Sequence, residues 1–130
     1  MDNEQKLIKN PETPVELAET CIKILDGRHA RNMKLLRVDE KTIIADYFII
    51  CSGNSNTQIR ALANELDFKL SPLGLIPLHS DGLPEATWVV LDYGSVMIHI
   101  FNSETREFYN LEKLWQDSEE IDITNLLTED

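Results

Sequence analysis

Five consecutive residues, Tyr47-Phe48-Ile49-Ile50-Cys51, are apolar or aromatic. No polar position interrupts them, so a strand built from them has no face to give to water and belongs in the middle of a sheet. The pattern predicts a strand over residues 43–51. It stops at the turn Ser52-Gly53-Asn54, and Ser55 with Gln58 forms a capping box that opens a helix. Ile59, Leu62, Ala63, Leu66, Leu70 and Leu73 then hold one helical face up to Gly74. A doubly buried strand feeding an amphipathic helix points to an α/β domain. With 130 residues, the chain should bury roughly 65–70% of its unfolded surface, which is one core and one domain.

The flanking segments complete the expected order α-β-β-α-β-β-β. Thr13 caps, Pro14 fits the first helical position and Glu16 closes a box, so residues 14–26 read as a helix stopped by Gly27. Short strands are expected over residues 34–38 and 76–80, with a turn at Asp81-Gly82. Trp88–Tyr93 and Val96–Phe101 flank Gly94-Ser95, which suits a type II′ hairpin turn with glycine first. In that register one face carries Val89, Leu91, Tyr93, Val96, Ile98 and Ile100. The other carries Trp88, Val90, Asp92, Met97, His99 and Phe101. The first face reads as core. The second reads either as an open binding surface, or as a face covered by Phe108, Tyr109, Leu111, Leu114 and Trp115. The expected architecture is a single compact domain with a mixed sheet of about five strands and helices mainly on one face. Residues 1–12 form a polar arm, residues 13–116 the domain, and residues 117–130 an acidic tail, either a frayed helix or disordered.

Charge narrows the function. Twelve Lys and Arg stand against 23 Asp and Glu, a net charge of −11. Such a chain lacks the basic footprint of a nucleic-acid binder and is repelled by anionic lipid. Its partner should be basic, or neutral and apolar. Six of the acids lie after Gln116 with no base among them, which leaves −5 on residues 1–116. Met1 to Asn10 is polar and lacks the apolar stretch of a signal peptide, and no run approaches a membrane span, so a cytoplasmic protein is expected. Cys21 and Cys51 both sit in apolar runs and read as reduced core thiols.

The search for chemistry returns no constellation. His29, His79 and His99 fall in separate elements, and no CxxC, HxxxH or HExxH pattern exists, so no metal site is expected. Ser52-Gly53-Asn54-Ser55 lacks the spaced glycines and lysine of a Walker A loop. A nucleotidyl transferase would follow a Gly-Ser turn with two carboxylates at i and i+2 on a strand. The nearest pair, Glu65 and Asp67, lies in the predicted helix, where i and i+2 point about 200° apart. His99 reads either as a pH-sensitive contact or as a satisfied buried histidine.

The stretch from Asp46 to Ser55 resembles the DYF-[IV]-[IV]-x-[ST]-G-x-S signature of the Iojap family, the bacterial ribosomal silencing factors. The similarity continues through Gln58, Ala61 and Ala63, and returns in Trp88-Val89-Val90-Leu91-Asp92-Tyr93-Gly94, Val96, His99 and Phe101. It closes on Arg106, Tyr109 and Leu111-Glu112-Lys113-Leu114-Trp115. Three motifs stand in order, and the similarity in order and spacing covers roughly residues 14–116. The resemblance implies a nucleotidyltransferase-like fold without the catalytic carboxylates. It also implies binding to the large ribosomal subunit through the protein called L-fourteen, which blocks subunit joining and represses translation. A basic partner suits an acidic ligand. The expected contact residues are Trp88, Asp92, His99, Phe101, Glu107, Tyr109 and Glu112, with no catalytic residue, metal or cofactor. No direct sequence-specific nucleic-acid contact and no membrane contact are expected. One copy would act on the ribosome, and a homodimer is conceivable when free. The rival readings are a divergent metal-dependent nucleotidyl transferase and a homodimeric scaffold module.

Overall fold

A computed structural model describes residues 10–128. Most of the polar arm, residues 1–9, and the last two residues lie outside that range. A six-stranded mixed sheet forms the centre, in the order β3-β4-β5-β2-β1-β6. The strands are β1 (Arg31–Arg37), β2 (Tyr47–Ser52), β3 (His79–Asp81), β4 (Trp88–Asp92), β5 (Val96–Phe101) and β6 (Glu119–Ile121). Two long helices, α1 (Pro14–Gly27) and α2 (Asn56–Leu70), cover one face. Two short ones, α3 (Ser103–Tyr109) and α4 (Leu111–Leu114), follow β5.

The apolar run behaves as its composition demands. β2 lies third from one edge, antiparallel to β1 and parallel to β5. Ile49 and Cys51 enter the core beneath α1 and α2, while Phe48 and Ile50 enter a second cluster on the opposite face. The strand begins only at Tyr47, so the expectation that it starts at Ile43 is corrected. Asp46 and Tyr47 both donate their N–H to the Ser95 carbonyl, and Thr42 Oγ1 accepts from the Ile44 N–H. These local bonds hold 39–46 as a loop, and Ile43 and Ile44 are exposed in spite of their β propensity. β3 likewise starts later than expected, and Ile76 and Leu78 are exposed. β1 is longer than expected and carries an irregularity between Arg31 and Lys34, where Asn32 adopts φ 52°.

Both predicted caps form where expected, but the return bond of each box lands one residue early. Thr13 and Ser55 accept from the N–H groups of Glu16 and Gln58. The Glu16 and Gln58 side chains reach back to the N–H groups of Glu12 and Asn54, each one residue before the cap. α1 ends at Gly27 as expected, but the left-handed residue that turns the chain is His29, at φ 65°. The hairpin register is the predicted one. Leu91 faces Ile98, Trp88 faces Phe101, and Gly94 at φ 90° takes the conformation a type II′ turn requires there.

The C-terminal segment departs most from expectation. Residues 117–128 are neither a frayed helix nor a detached tail. Glu119–Ile121 pairs antiparallel with β1 as a sixth strand. Ile123 is buried, and Ile121 and Leu126 pack against the main core. Thr128 donates from both N–H and hydroxyl to Asp26, at 2.8 Å each. Three apolar side chains placed between acids are enough to bind the segment to an otherwise open sheet edge.

Candidate functional site

The two faces of the sheet are finished differently. Under α1 and α2, Leu35, Ile49, Cys51, Val89, Leu91, Val96, Ile98 and Ile100 are buried against helix residues such as Ile22, Leu25, Leu62 and Leu66. The opposite face carries a smaller cluster of Leu36, Val38, Ala45, Phe48, Ile50 and Phe101. Trp88, Met97, Leu111 and Trp115 pack on it half-buried. The face is therefore covered in part: the C-terminal segment packs on its middle and leaves an aromatic border.

Arg106 sets that border in place. Its guanidinium is nearly buried and donates through Nη1 to Ser52 Oγ at 2.7 Å. Its Nε and Nη2 donate to the two carboxylate oxygens of Glu112, at 3.0 Å each. Lys34 Nζ adds a third cation contact to Glu112 at 3.4 Å. One side chain thus ties α3, α4 and the end of β2 together through charge-assisted bonds. The Arg106 hydrogen bonds, and then its charge, hold the Glu112 carboxyl below its usual range. Asn102 caps α3 by accepting from the Thr105 N–H at 2.8 Å, and Asn110, left-handed at φ 49°, breaks the chain between the two short helices.

The bracing presents Tyr109 and Phe108 to solvent, 55% and 79% exposed, with Leu114 at 75%. Tyr109 packs on Trp88 with centroids 4.9 Å apart, and Trp88 stacks on Phe101 at 4.9 Å and 25°. Phe108 meets Tyr109 edge-on at 5.0 Å. Gly82, at φ 89°, lies against the Trp88 backbone, where a Cβ would come within 2.0 Å of the carbonyl oxygen. That position admits only glycine, and it seats the first residue of β4.

Of the seven expected contact residues, Trp88, Tyr109 and Glu107 lie on or beside this surface. Phe101 does not reach it. It is fully buried and serves as the floor under Trp88. His99 is also buried, and burial lowers its pKa to about 4, so the imidazole is neutral at pH 7. Asp92 sits at the far end of β4, roughly 13 Å from Trp88 at strand rise, where its Oδ1 accepts from the Gly94 N–H at 2.8 Å. Glu112 is engaged by Arg106 and Lys34. Phe108, which the sequence offers only as cover, meets Tyr109 on the exposed border, and Leu114, offered likewise, is exposed as well. Phe108 and Tyr109 are adjacent on a short helix, so both cannot face inward, and that adjacency is the signal for at least one of them.

Among the described residues, the carboxylates and thiols that the sequence offered for chemistry lie apart from this surface. Glu65 is held by Arg28 at 3.1 Å and by Lys69 at 3.9 Å, while Asp67 is exposed elsewhere on α2. Both cysteines are free and buried, and burial pushes each thiol up to about 12, so neither is a thiolate at neutral pH. Among the described residues no group of three or more His, Cys, Asp or Glu is placed to hold a metal ion. No helix among them is long and apolar enough to cross a membrane.

The chain is similar to known proteins in both sequence and fold. A family model described as "Ribosomal silencing factor during starvation" matches residues 11–130, including the strand expected to be a tail. The ribosomal silencing factor RsfS of Halalkalibacterium halodurans is 34% identical over 113 residues, covering 87% of this chain and 97% of that protein. The Bacillus subtilis protein of the same name is 38% identical over 98 residues, covering 75% and 83%. A mouse protein named mitochondrial assembly of ribosomal large subunit protein 1 is 32% identical, covering 75% of this chain and 44% of that one. A crystal structure from Chromobacterium violaceum superposes with a TM-score of 0.78 at 28% identity, covering 81% and 88%. One from Bacillus halodurans reaches 0.74 at 32%, covering 83% and 98%. On sequence, fold and extent together, the chain belongs to the RsfS family, the ribosomal silencing factors.

Proposed function

We propose that the Trp88–Tyr109 surface docks on the large ribosomal subunit, against its basic protein L-fourteen, and that the docked domain sterically prevents the small subunit from joining. Translation is repressed by occupancy, without catalysis or cofactor, and the protein acts in the cytoplasm as a single copy on the ribosome. The observation that carries this reading is the exposed aromatic border. Phe108, Tyr109 and Leu114 remain in water although the Arg106–Glu112 brace holds them in place. A fixed apolar centre with acids such as Glu104 and Glu107 exposed beside it on α3 has the anatomy of a protein interface for a basic partner. Family membership and the ribosomal names of the relatives support the choice of partner.

Recombined ribosomal subunits run on a sucrose gradient test the proposal. With the protein added in excess, joined ribosomes should fall and free subunits rise, with the protein comigrating with the large subunit. Joining that is unchanged at saturating protein overturns it.

A further inference from the structure

The indole N–H of Trp88 is not available to a partner. Trp88 Nε1 lies 3.2 Å from His99 Nδ1. An indole nitrogen only donates, so Nδ1 must accept and the ring proton of the neutral imidazole resides on Nε2. Nε2 is buried and meets no protein acceptor among the described residues. The imidazole therefore turns its acceptor to Trp88, while its own N–H finds no acceptor among the described residues. The imidazole is itself fixed, edge-on to Phe48 at 5.0 Å and parallel to Phe101 at 6.3 Å and 15°.

From this arrangement we infer that His99 is a positioning residue for docking. It never touches the partner; it locks the Trp88 indole flat on Phe101 and against Tyr109. The inference rests on the docking surface proposed above. It also narrows the chemistry of what lands there. With the nitrogen bonded inward, the exposed part of Trp88 is carbon, which suits the aliphatic stem or cationic head of a lysine or arginine rather than a hydrogen-bond acceptor.

The test uses the full chain and purified large subunits, with His99→Leu, which removes the acceptor, and His99→Asn, whose amide oxygen replaces Nδ1. The Trp88 indole N–H, observed by NMR, should be protected from solvent exchange in the wild type and in His99→Asn, and unprotected in His99→Leu. Affinity for the large subunit should drop about tenfold in His99→Leu, the scale of one lost hydrogen bond, and return in His99→Asn. In a Trp88→Phe background, His99→Leu should have no further effect. Wild-type affinity in a His99→Leu protein whose indole has lost protection overturns the inference. So does a tenfold loss that persists in the Trp88→Phe background, which would mean that His99 acts through the fold at large. If the wild type does not bind large subunits, the docking reading fails instead, and the exchange data alone decide whether His99 holds the indole.

Discussion

The helix-covered face and the aromatic face of this sheet are built from the same strands and finished differently. Beneath α1 and α2 the residues are mostly aliphatic and buried, and ion pairs such as Arg28–Glu65 lie outside the core at the helix surface. On the other face aromatic rings replace aliphatic chains. A charged group is drawn inside, and the two short helices leave Phe108, Tyr109 and Leu114 in water while Leu111 packs on the cluster. Burial on the first face supplies stability, since each large side chain contributes about 1.5–3 kcal/mol. The second face forgoes part of that gain to keep Phe108, Tyr109 and Leu114 exposed in a fixed place. A separation of this kind predicts that damage to one face leaves the other's property largely intact.

The largest effect should come from the dry face. Ile98→Ala removes a fully buried side chain from the centre of β5 and should lower unfolding free energy by about 3–4 kcal/mol. Urea denaturation measures this, while the protein that remains folded should bind large subunits normally. Lost binding in that folded fraction would join the two faces into one cooperative site.

Acid should act almost as strongly, and through the aromatic face. His99 has its folded pKa lowered from 6.5 to about 4 by desolvation. The unfolded chain takes up this proton first as pH falls. The contribution is therefore complete above pH 6.5, and is lost progressively between about 6.5 and 4, to a total of roughly 3 kcal/mol. Thermal melts of the wild type and His99→Asn across that window separate this residue from the carboxylates. Parallel pH profiles in the two proteins would remove His99 as the cause.

Next comes the brace. Arg106→Met leaves Glu112 and Ser52 without their main partner and should destabilise by about 2 kcal/mol. It should also weaken subunit binding, because α3 and α4 lose their anchor. Chemical denaturation and cosedimentation, run on the same preparation, show whether both change together.

The smallest stability effect and the sharpest contrast belong to Tyr109→Ala. Tyr109 is more than half exposed, so stability should move by about 0.5 kcal/mol or less, while affinity for the large subunit falls by about 2 kcal/mol, a roughly 30-fold loss. Equal affinity in the variant and the wild type would remove Tyr109 from the interface.

Local pattern made much of the fold legible. The unbroken apolar run placed β2 inside the sheet, the Thr13 and Ser55 boxes opened two helices, and Gly94 set the hairpin register that sorts Val89 from Trp88. These features depend on neighbours a few residues apart, and their physics is local. Family resemblance added the partner class and pointed to Trp88 and Tyr109.

Other features depend on what lies across the sheet. Ile43 and Ile44 have strand propensity but no strand to pair with, so they stay in a loop. The acids of residues 117–122 read as tail, until the free edge of β1 gives Glu119–Ile121 a ladder and the core gives Ile123 a place. Phe101 and His99 share a face with Trp88 in the hairpin pattern, yet only the packing of Phe48, Leu111, Trp115 and Tyr109 decides which of the three meets water. Sequence alone determined which residues share a face, because alternation along a strand is a property of the backbone. Tertiary structure alone decided which of them are buried and which meet water, because that depends on side chains brought in from distant parts of the chain.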